Sequence, residues 1–365
     1  MQLVSLRTFC FRNLAPLEIH PFPGTNLFCG RNGQGKTNLL EAIYLLGYGR
    51  SFRTAKVREC IQHGADEAAV EGEAEHGGIS RNVKIQINSR EKRMLIYNKP
   101  AQIDEFVGNL HVLAFTSGHL SIVRGGPGER RAFLDRAMLV LFPGHLHFLA
   151  AYSRALKQRN RILSTRAPSH AAAEGALLDS WDEALAREGA RIVLNRLRYV
   201  DRLKEVMQTD LFGGEALSIQ YVSTVSCESR HVDEIERCFR ERLRSARPSD
   251  ERLGITSVGP HRDDLKLYAD GKALANFGSA GQQRSCLLTL YIAQMEIHRK
   301  DRGFYPVFLV DDVEAELDDC RLRSFLSYIS ERTQTFLTTA KETLVSSLPG
   351  PIHRFEVKGG AAVPT

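Results

Sequence analysis

No two of the seven cysteines, Cys10, Cys29, Cys60, Cys227, Cys238, Cys286 and Cys320, stand at C-x-x-C spacing. An odd and scattered set offers neither zinc-ligand spacing nor a disulfide framework, which leaves reduced thiols. No apolar run approaches the roughly 18 to 20 residues that a bilayer-spanning helix needs. The first ten residues hold one arginine and alternate apolar with polar side chains, unlike a signal peptide. Internal repeats, low-complexity tracts and long heptad runs are also missing. With 43% hydrophobic and 25% charged residues, disordered, collagen-like and coiled-coil descriptions of the whole chain are excluded. These absences point to a soluble cytoplasmic protein of 365 residues, room enough for one large domain or two modest ones.

What is present begins with strand patterns. Leu3, Leu6, Phe9 and Phe11 are separated mainly by polar residues, and residues 25–29 form a second strand candidate. That strand runs into a glycine-rich loop and then into an uninterrupted apolar pattern at 38–46 that suits a helix. Residues 83–88 and 94–97 read as a hairpin. From the break at Gly125-Gly126-Pro127-Gly128, helical patterns dominate to about residue 207, most clearly at 181–207 with Val193, Leu197, Val200, Leu203 and Met207 on one face. Strand patterns return at 217–225, 265–268, 307–310 and 336–339, and the tail from 359 is expected to fray. The order predicts an α/β domain with a mixed sheet built from both ends of the chain, 1–125 with 250–365, interrupted by a mainly helical insertion at 126–249.

The loop Gly30-Arg31-Asn32-Gly33-Gln34-Gly35-Lys36-Thr37 fits G-x-x-x-x-G-K-[ST]. Glycines let backbone N–H groups close around a β-phosphate where side chains would clash, Lys36 reaches the β- and γ-phosphates, and the Thr37 hydroxyl ligates Mg²⁺. The following helix aims its positive end at the same phosphates. A site of this kind needs a second acid. The run Val307-Phe308-Leu309-Val310-Asp311-Asp312 supplies it, with Asp311 holding Mg²⁺ at the end of a buried strand and Asp312 placed to orient or deprotonate the attacking water. Lys36 and Asp311 stand 275 positions apart in a chain of 365 residues. That is unlike compact GTPases and like ATPases of the ABC and SMC type, in which an insertion separates two lobes.

Ser279-Ala280-Gly281-Gln282-Gln283 precedes an amphipathic helix. In ABC-type ATPases an S-x-G-Q segment caps the γ-phosphate held by the opposite subunit, so Ser279, Gly281 and Gln282 are candidates for that contact; an ordinary helix cap is the plainer alternative. Glu316-Leu317-Asp318 stands at the spacing of a loop that crosses the dimer interface in this class. Where many transport ATPases carry a switch histidine, this chain offers Thr338 or Thr339.

Charge is uneven. The net charge is +6, and between Arg124 and Glu205 alone 15 basic residues face 9 acidic ones. Arg154, Lys157, Arg159, Arg161 and Arg166 fall in a stretch without acids, and Arg154, Lys157 and Arg161 share a helical face. Such a face suits DNA phosphates, bound with salt-dependent and sequence-indifferent affinity, or is merely solvated. His261, Arg262, Asp263 and Asp264 are read as structural rather than as a metal cluster.

Taken together these residues resemble the RecF family, bacterial recombination mediators with an SMC-like ATPase head. The resemblance rests on Phe11-Arg12-Asn13-Leu14, on Asn26 through Arg53 (including GRNGQGKTNLLEAIYLLGYGRSFR), on Gly126 to Asp135, on Gly259-Pro260-His261-Arg262-Asp263-Asp264-Leu265, on Gly281-Gln282-Gln283-Arg284, and on Asp311-Asp312-Val313 with Glu316-Leu317-Asp318. It implies a slow ATPase that dimerises on ATP, binds single-stranded or gapped DNA, and acts with RecO and RecR to load RecA in repair, replication and the SOS response. It also implies adenine contacts from Arg12 and Asn13. One departure stands out: where the family carries a Pro-Glu pair, this chain reads Phe115-Thr116-Ser117-Gly118-His119-Leu120, with no carboxylate. The alternatives are a non-hydrolysing ATP-binding DNA module and another ABC-type ATPase.

Overall fold

In the computed structural model the described residues are 1–142, 144–165, 171–207, 216–312, 319–340 and 350–365. They form two compact units, Met1–Leu120 with Leu287–Thr365, and Ser121–Cys286. Composition placed the breaks at 125/126 and 249/250. The second one falls later because the strand Asp264–Ala269 pairs with Leu217–Val222 and Lys272–Ala273, inside the second unit.

Two six-stranded sheets build the first unit. One runs, in spatial order, Ala361–Pro364, Ile352–Lys358, Thr25–Cys29, Thr335–Thr339, Val307–Asp311, Val112–Thr116; only its first pair is antiparallel, so the sheet is mixed. Every residue of Thr25–Cys29, Val307–Asp311 and Thr335–Thr339 is buried, as expected for strands covered on both faces. Because these strands are parallel, Cys29, Asp311 and Thr339 end at the same sheet edge, where α/β folds place ligand sites. The other sheet is antiparallel and includes Gln2–Phe9, Glu67–His76 and Ile79–Asn88, with the expected hairpin formed by Ile79–Asn88 and Lys92–Ile96. The helix Lys36–Tyr48 packs on strands of both sheets, and all its residues from Leu39 to Tyr48 are buried. Its apolar run therefore faces core all round instead of forming one stripe.

The tail corrects the sequence reading. Residues 361–364 form a strand paired with Ile352–Lys358, joined through a two-residue turn at Gly359 (φ 57°) and Gly360 (φ 82°). Two successive left-handed residues are what a tight hairpin turn of matching twist demands, and Gly-Gly meets that demand without strain.

The second unit holds the helices Pro127–Leu141, His145–Thr165, Ala171–Val206 and Val232–Leu253 beside its three-stranded sheet. Tyr152, Leu185, Ile192, Val193, Phe239 and Leu243 are central to its core. The segment Gly259–Asp264 ties this unit together. Asp263 has no exposed surface and accepts from the Tyr221 hydroxyl, the Ser223 hydroxyl, and the Thr224 N–H and hydroxyl. Arg130 grips Asp264 at 2.7 and 3.0 Å, and His261 bonds to the Tyr152 hydroxyl at 2.7 Å. Burial holds the His261 imidazole down, to about 4.

Candidate functional site

The strand Thr25–Cys29 delivers the chain into the glycine loop, and Lys36 opens the helix behind it. Gly35 stands at the helix N-cap with φ 114°, a conformation that costs a side chain dearly; a Cβ there would also lie 2.9 Å from Leu14. No side chain caps this helix and no acid sits in its first turn. The positive end of this helix, where Gly35, Lys36 and Thr37 line the cavity, suits an anion. The Lys36 ammonium donates to the carbonyls of Gly30 at 2.6 Å and Arg31 at 3.1 Å, folded over the loop it would share with a phosphate.

The two halves of the predicted site meet directly. Thr37 and Asp311, 274 positions apart, are joined by a hydrogen bond of 3.0 Å from the Thr37 hydroxyl to Asp311 Oδ1. Thr338 donates to the same oxygen at 2.8 Å and its hydroxyl accepts the Asp312 N–H at 3.0 Å. Of the two threonines singled out in the sequence, Thr338 lines the site. Asp312 is exposed, has φ 49°, and lines the cavity. Burial raises the Asp311 carboxyl above its usual range; the Thr338 and Thr37 hydroxyls oppose this, and the charge of Asp312 adds to it. Hydroxyl and carboxylate oxygens are the hard donors that Mg²⁺ takes, so Thr37 and Asp311 could hold it. Among the described residues no cluster of three or more His, Cys, Asp or Glu could hold a metal without further ligands.

The cavity, about 590 Å³, is lined by Asn32, Gly33, Gly35, Lys36, Thr37, Asp312 and Thr338, and on its other side by Arg12, Asn13, Asn38, Arg53, Glu59 and Ile61. Arg12 follows the first strand in a left-handed conformation (φ 54°). It is held by Glu41, which is wholly buried and also receives the Ser51 hydroxyl at 2.5 Å and Arg53 at 3.4 Å. Arg53 further donates to Asn38 at 2.6 Å. Asn38, Glu41 and Arg53 were missed as site residues. The available signal was a lone carboxylate, Glu41, inside the apolar run at 38–46.

The carboxylate-free segment ends the strand Val112–Thr116 in a turn, Ser117–Leu120. His119 Nδ1 there accepts the Thr116 N–H at 3.1 Å and bonds the Tyr291 hydroxyl at 2.7 Å. In the second unit, Ser279 and Gln282 form a reciprocal cap at the start of the helix Ala280–Arg302, the Gln282 N–H to the Ser279 hydroxyl at 3.1 Å and the Ser279 N–H to Gln282 Oε1 at 3.0 Å. Ser279 is exposed. Arg154, Lys157 and Arg161 are exposed along the helix His145–Thr165. Arg159, grouped with them in the sequence, is instead a core residue without exposed surface, bonded to Asp182 at 2.6 Å and Asp250 at 2.7 Å. Arg166 and the stretch Glu316-Leu317-Asp318 lie outside the described residues.

The family described as RecF/RecN/SMC N terminal domain matches residues 2–360. The DNA replication and repair protein RecF of Geotalea uraniireducens (strain Rf4) is 35% identical over 345 residues, 93% of each chain. That of Halothermothrix orenii is 36% identical over 360 residues, 96% of this chain and 95% of the relative. Among solved structures, one of the recombination mediator protein RecF-ATPrS in the RecFOR pathway superposes with a TM-score of 0.90 at 30% identity, covering 100% of this chain and 98% of that one. An Smc head bound to the C-winged helix domain of ScpA gives 0.56 at 14% identity, covering 100% and 96%, a likeness of fold. With a phosphate loop meeting an acidic strand in an ABC/SMC-type ATPase head, and relatives that match nearly end to end, the chain belongs to the RecF family.

Proposed function

We propose that this protein is an ATP-switched DNA-binding mediator of replication and recombinational repair, working in the cytoplasm. It binds ATP at the phosphate loop, hydrolyses it slowly, dimerises while ATP is bound, and holds single-stranded or gapped DNA so that recombinase is loaded there. The observation that carries this reading is the 3.0 Å contact between Thr37 and Asp311 at the end of a cavity lined by the glycine loop. A glycine-rich turn alone would not bring an acidic strand to its threonine.

In this reading Gly30, Arg31, Asn32, Gly33, Gln34 and Gly35 wrap the β-phosphate with main-chain N–H groups, and Lys36 leaves the Gly30 and Arg31 carbonyls to neutralise β- and γ-phosphate charge. Thr37 and Asp311 would hold Mg²⁺, which would polarise phosphoryl oxygens. Asp312 aligns a water opposite the leaving β-phosphate oxygen and takes its proton as the bond to the γ-phosphorus forms. Arg12 and Asn13, which line the cavity, are by resemblance the candidates for contact with the nucleoside. Ser279, Gly281 and Gln282 of a second copy close over the γ-phosphate through a helix N-terminus. Arg154, Lys157 and Arg161 contact DNA phosphates. Resemblance supplies RecO and RecR as partners and RecA as the recombinase, and a RecF structure from the RecFOR pathway superposes closely.

Solution mass by light scattering tests the switch, with ATP and Mg²⁺ against ADP, for wild type and Ser279→Arg. A dimer only in wild type with ATP is expected. A monomer throughout removes the clamp and leaves a module that uses ATP as a simple ligand. Lys36→Met should abolish nucleotide binding, and Asp312→Asn should bind ATP while turning over at least about a hundredfold more slowly. Unchanged turnover would take Asp312 out of the mechanism.

A further inference from the structure

The C-terminal hairpin touches the phosphate loop at both of its ends. The loop's entry strand, Thr25–Cys29, lies parallel to Ile352–Lys358, with Cys29 opposite Glu356. A Cβ on Gly30 would lie 2.3 Å from the Val357 carbonyl oxygen. At the far end the Gly359 N–H donates to Gln34 Oε1 at 2.7 Å, the Gly360 N–H donates to the Gln34 carbonyl at 3.0 Å, and the Ala15 N–H donates to the Gly360 carbonyl at 3.1 Å. A Cβ on Gly360 would meet the Asn13 carbonyl oxygen at 2.1 Å. Asn13 in turn donates from Nδ2 to the Gly33 carbonyl at 2.9 Å, and accepts from Asn38 at 2.6 Å.

These contacts have a common sense. The carbonyls of Gly33 and Gln34 are both taken as acceptors, by Asn13 and by Gly360. In a planar trans peptide the N–H points opposite to the C=O. Tying these two carbonyls to Asn13 and to Gly360 therefore fixes the directions of the N–H groups of Gln34 and Gly35, each pointing away from the partner of its own peptide's carbonyl, and a phosphate-binding nest requires N–H groups so held. We propose that the Gly359–Gly360 turn is a brace for the phosphate loop, that Gln34 is the positioning residue through which it acts, and that the C-terminal hairpin thereby sets nucleotide affinity. This rests on the reading that the loop binds ATP. A braced loop is already ordered when the nucleotide arrives; an unbraced one must be ordered at the expense of binding energy.

The test compares the full-length protein with Gln34→Leu, which removes the side-chain acceptor, and Gly360→Ala, which forces the turn off Asn13. Affinity for Mg–ATP is measured with a fluorescent ATP analogue, and amide hydrogen exchange of residues 30–37 is followed without nucleotide. Losing one hydrogen bond of ordinary strength should weaken binding about three- to tenfold in Gln34→Leu. Gly360→Ala should weaken it further. Exchange in 30–37 should quicken in both variants while the strand Thr335–Thr339 keeps its protection, which separates loss of the brace from general destabilisation. Affinities within twofold of wild type with unchanged exchange would overturn the brace. Exchange is read without nucleotide, so a wild type that fails to bind ATP would sink the proposed function and leave the brace to be judged on exchange alone.

Discussion

The Arg12 guanidinium, which lines the cavity beside the phosphate loop, donates to both oxygens of Glu41, at 2.7 and 3.0 Å. Glu41 is fully buried on the helix that starts at the phosphate loop, so the loop's own helix fixes the cationic wall facing it. Buried ion pairs contribute little net stability when intact, because desolvation offsets attraction, but losing one partner strands the other. Glu41→Leu removes the buried member and leaves two arginines that water reaches, so it should lower unfolding stability by about 1–3 kcal/mol and release Arg12 and Arg53. Glu41→Gln, which keeps an acceptor, should cost less. Urea denaturation of the three proteins checks the order; equal midpoints would show that the pair is not needed.

What the sequence revealed and what it hid divide along a physical line. Gly30 to Thr37 and Val307 to Asp312 were legible because each carries local chemistry: loop glycines before a helix, and an apolar strand ending in acids. Ser279 was legible as a helix start, which the reciprocal cap with Gln282 satisfies. Partnerships between distant residues were not. Nothing local reveals that Arg159 finds Asp182 and Asp250 while Arg161, two positions along the same helix, meets solvent. Gly359 and Gly360 read as a frayed end because the strand they return to is set by sheet pairing, and their grip on Gln34 exists only in three dimensions. The second unit's boundary was misjudged for the same reason: an antiparallel partner of Asp264–Ala269 lies at Leu217–Val222.

Asp311 gives a prediction with a sign. Its carboxyl is raised by burial above the ordinary value of 3.8, so the folded state binds that proton more tightly than the unfolded chain does. The ionised group thus works against folding at neutral pH, and this unfavourable contribution fades as pH falls through its raised value toward 3.8. Asp311→Asn keeps an oxygen for Thr37 and Thr338 but carries no charge. Without nucleotide its melting temperature at pH 7 should therefore rise. The further rise that Mg–ATP gives to wild type should disappear. A lower melting temperature in the nucleotide-free variant would contradict the direction of the shift.

Arginines on one helix allow stability and the proposed DNA binding to be tested separately. Within His145–Thr165, Arg159 is buried and bonded to Asp182, Asp250 and the Thr256 hydroxyl, whereas Arg154, Lys157 and Arg161 are exposed and have no carboxylate partner among the described residues. Arg159→Met leaves the buried Asp250 carboxylate without its arginine, while Asp182 keeps Arg247 at 2.7 Å, and should lower unfolding stability by about 3–5 kcal/mol. Replacing Arg154, Lys157 and Arg161 together by Glu should leave the midpoint nearly unchanged, because each surface substitution is worth about 0.5 kcal/mol or less. The same triple variant should weaken single-stranded DNA binding, and it should flatten the dependence of log affinity on log salt by about 0.7 for each phosphate no longer neutralised. Anisotropy titrations at several salt concentrations read both effects. If affinity at moderate salt and the salt slope both match wild type, the basic face is a solvated one, and the DNA path over this unit must be sought elsewhere; if affinity falls while the slope stays, the weakening comes from an interaction that does not involve phosphate.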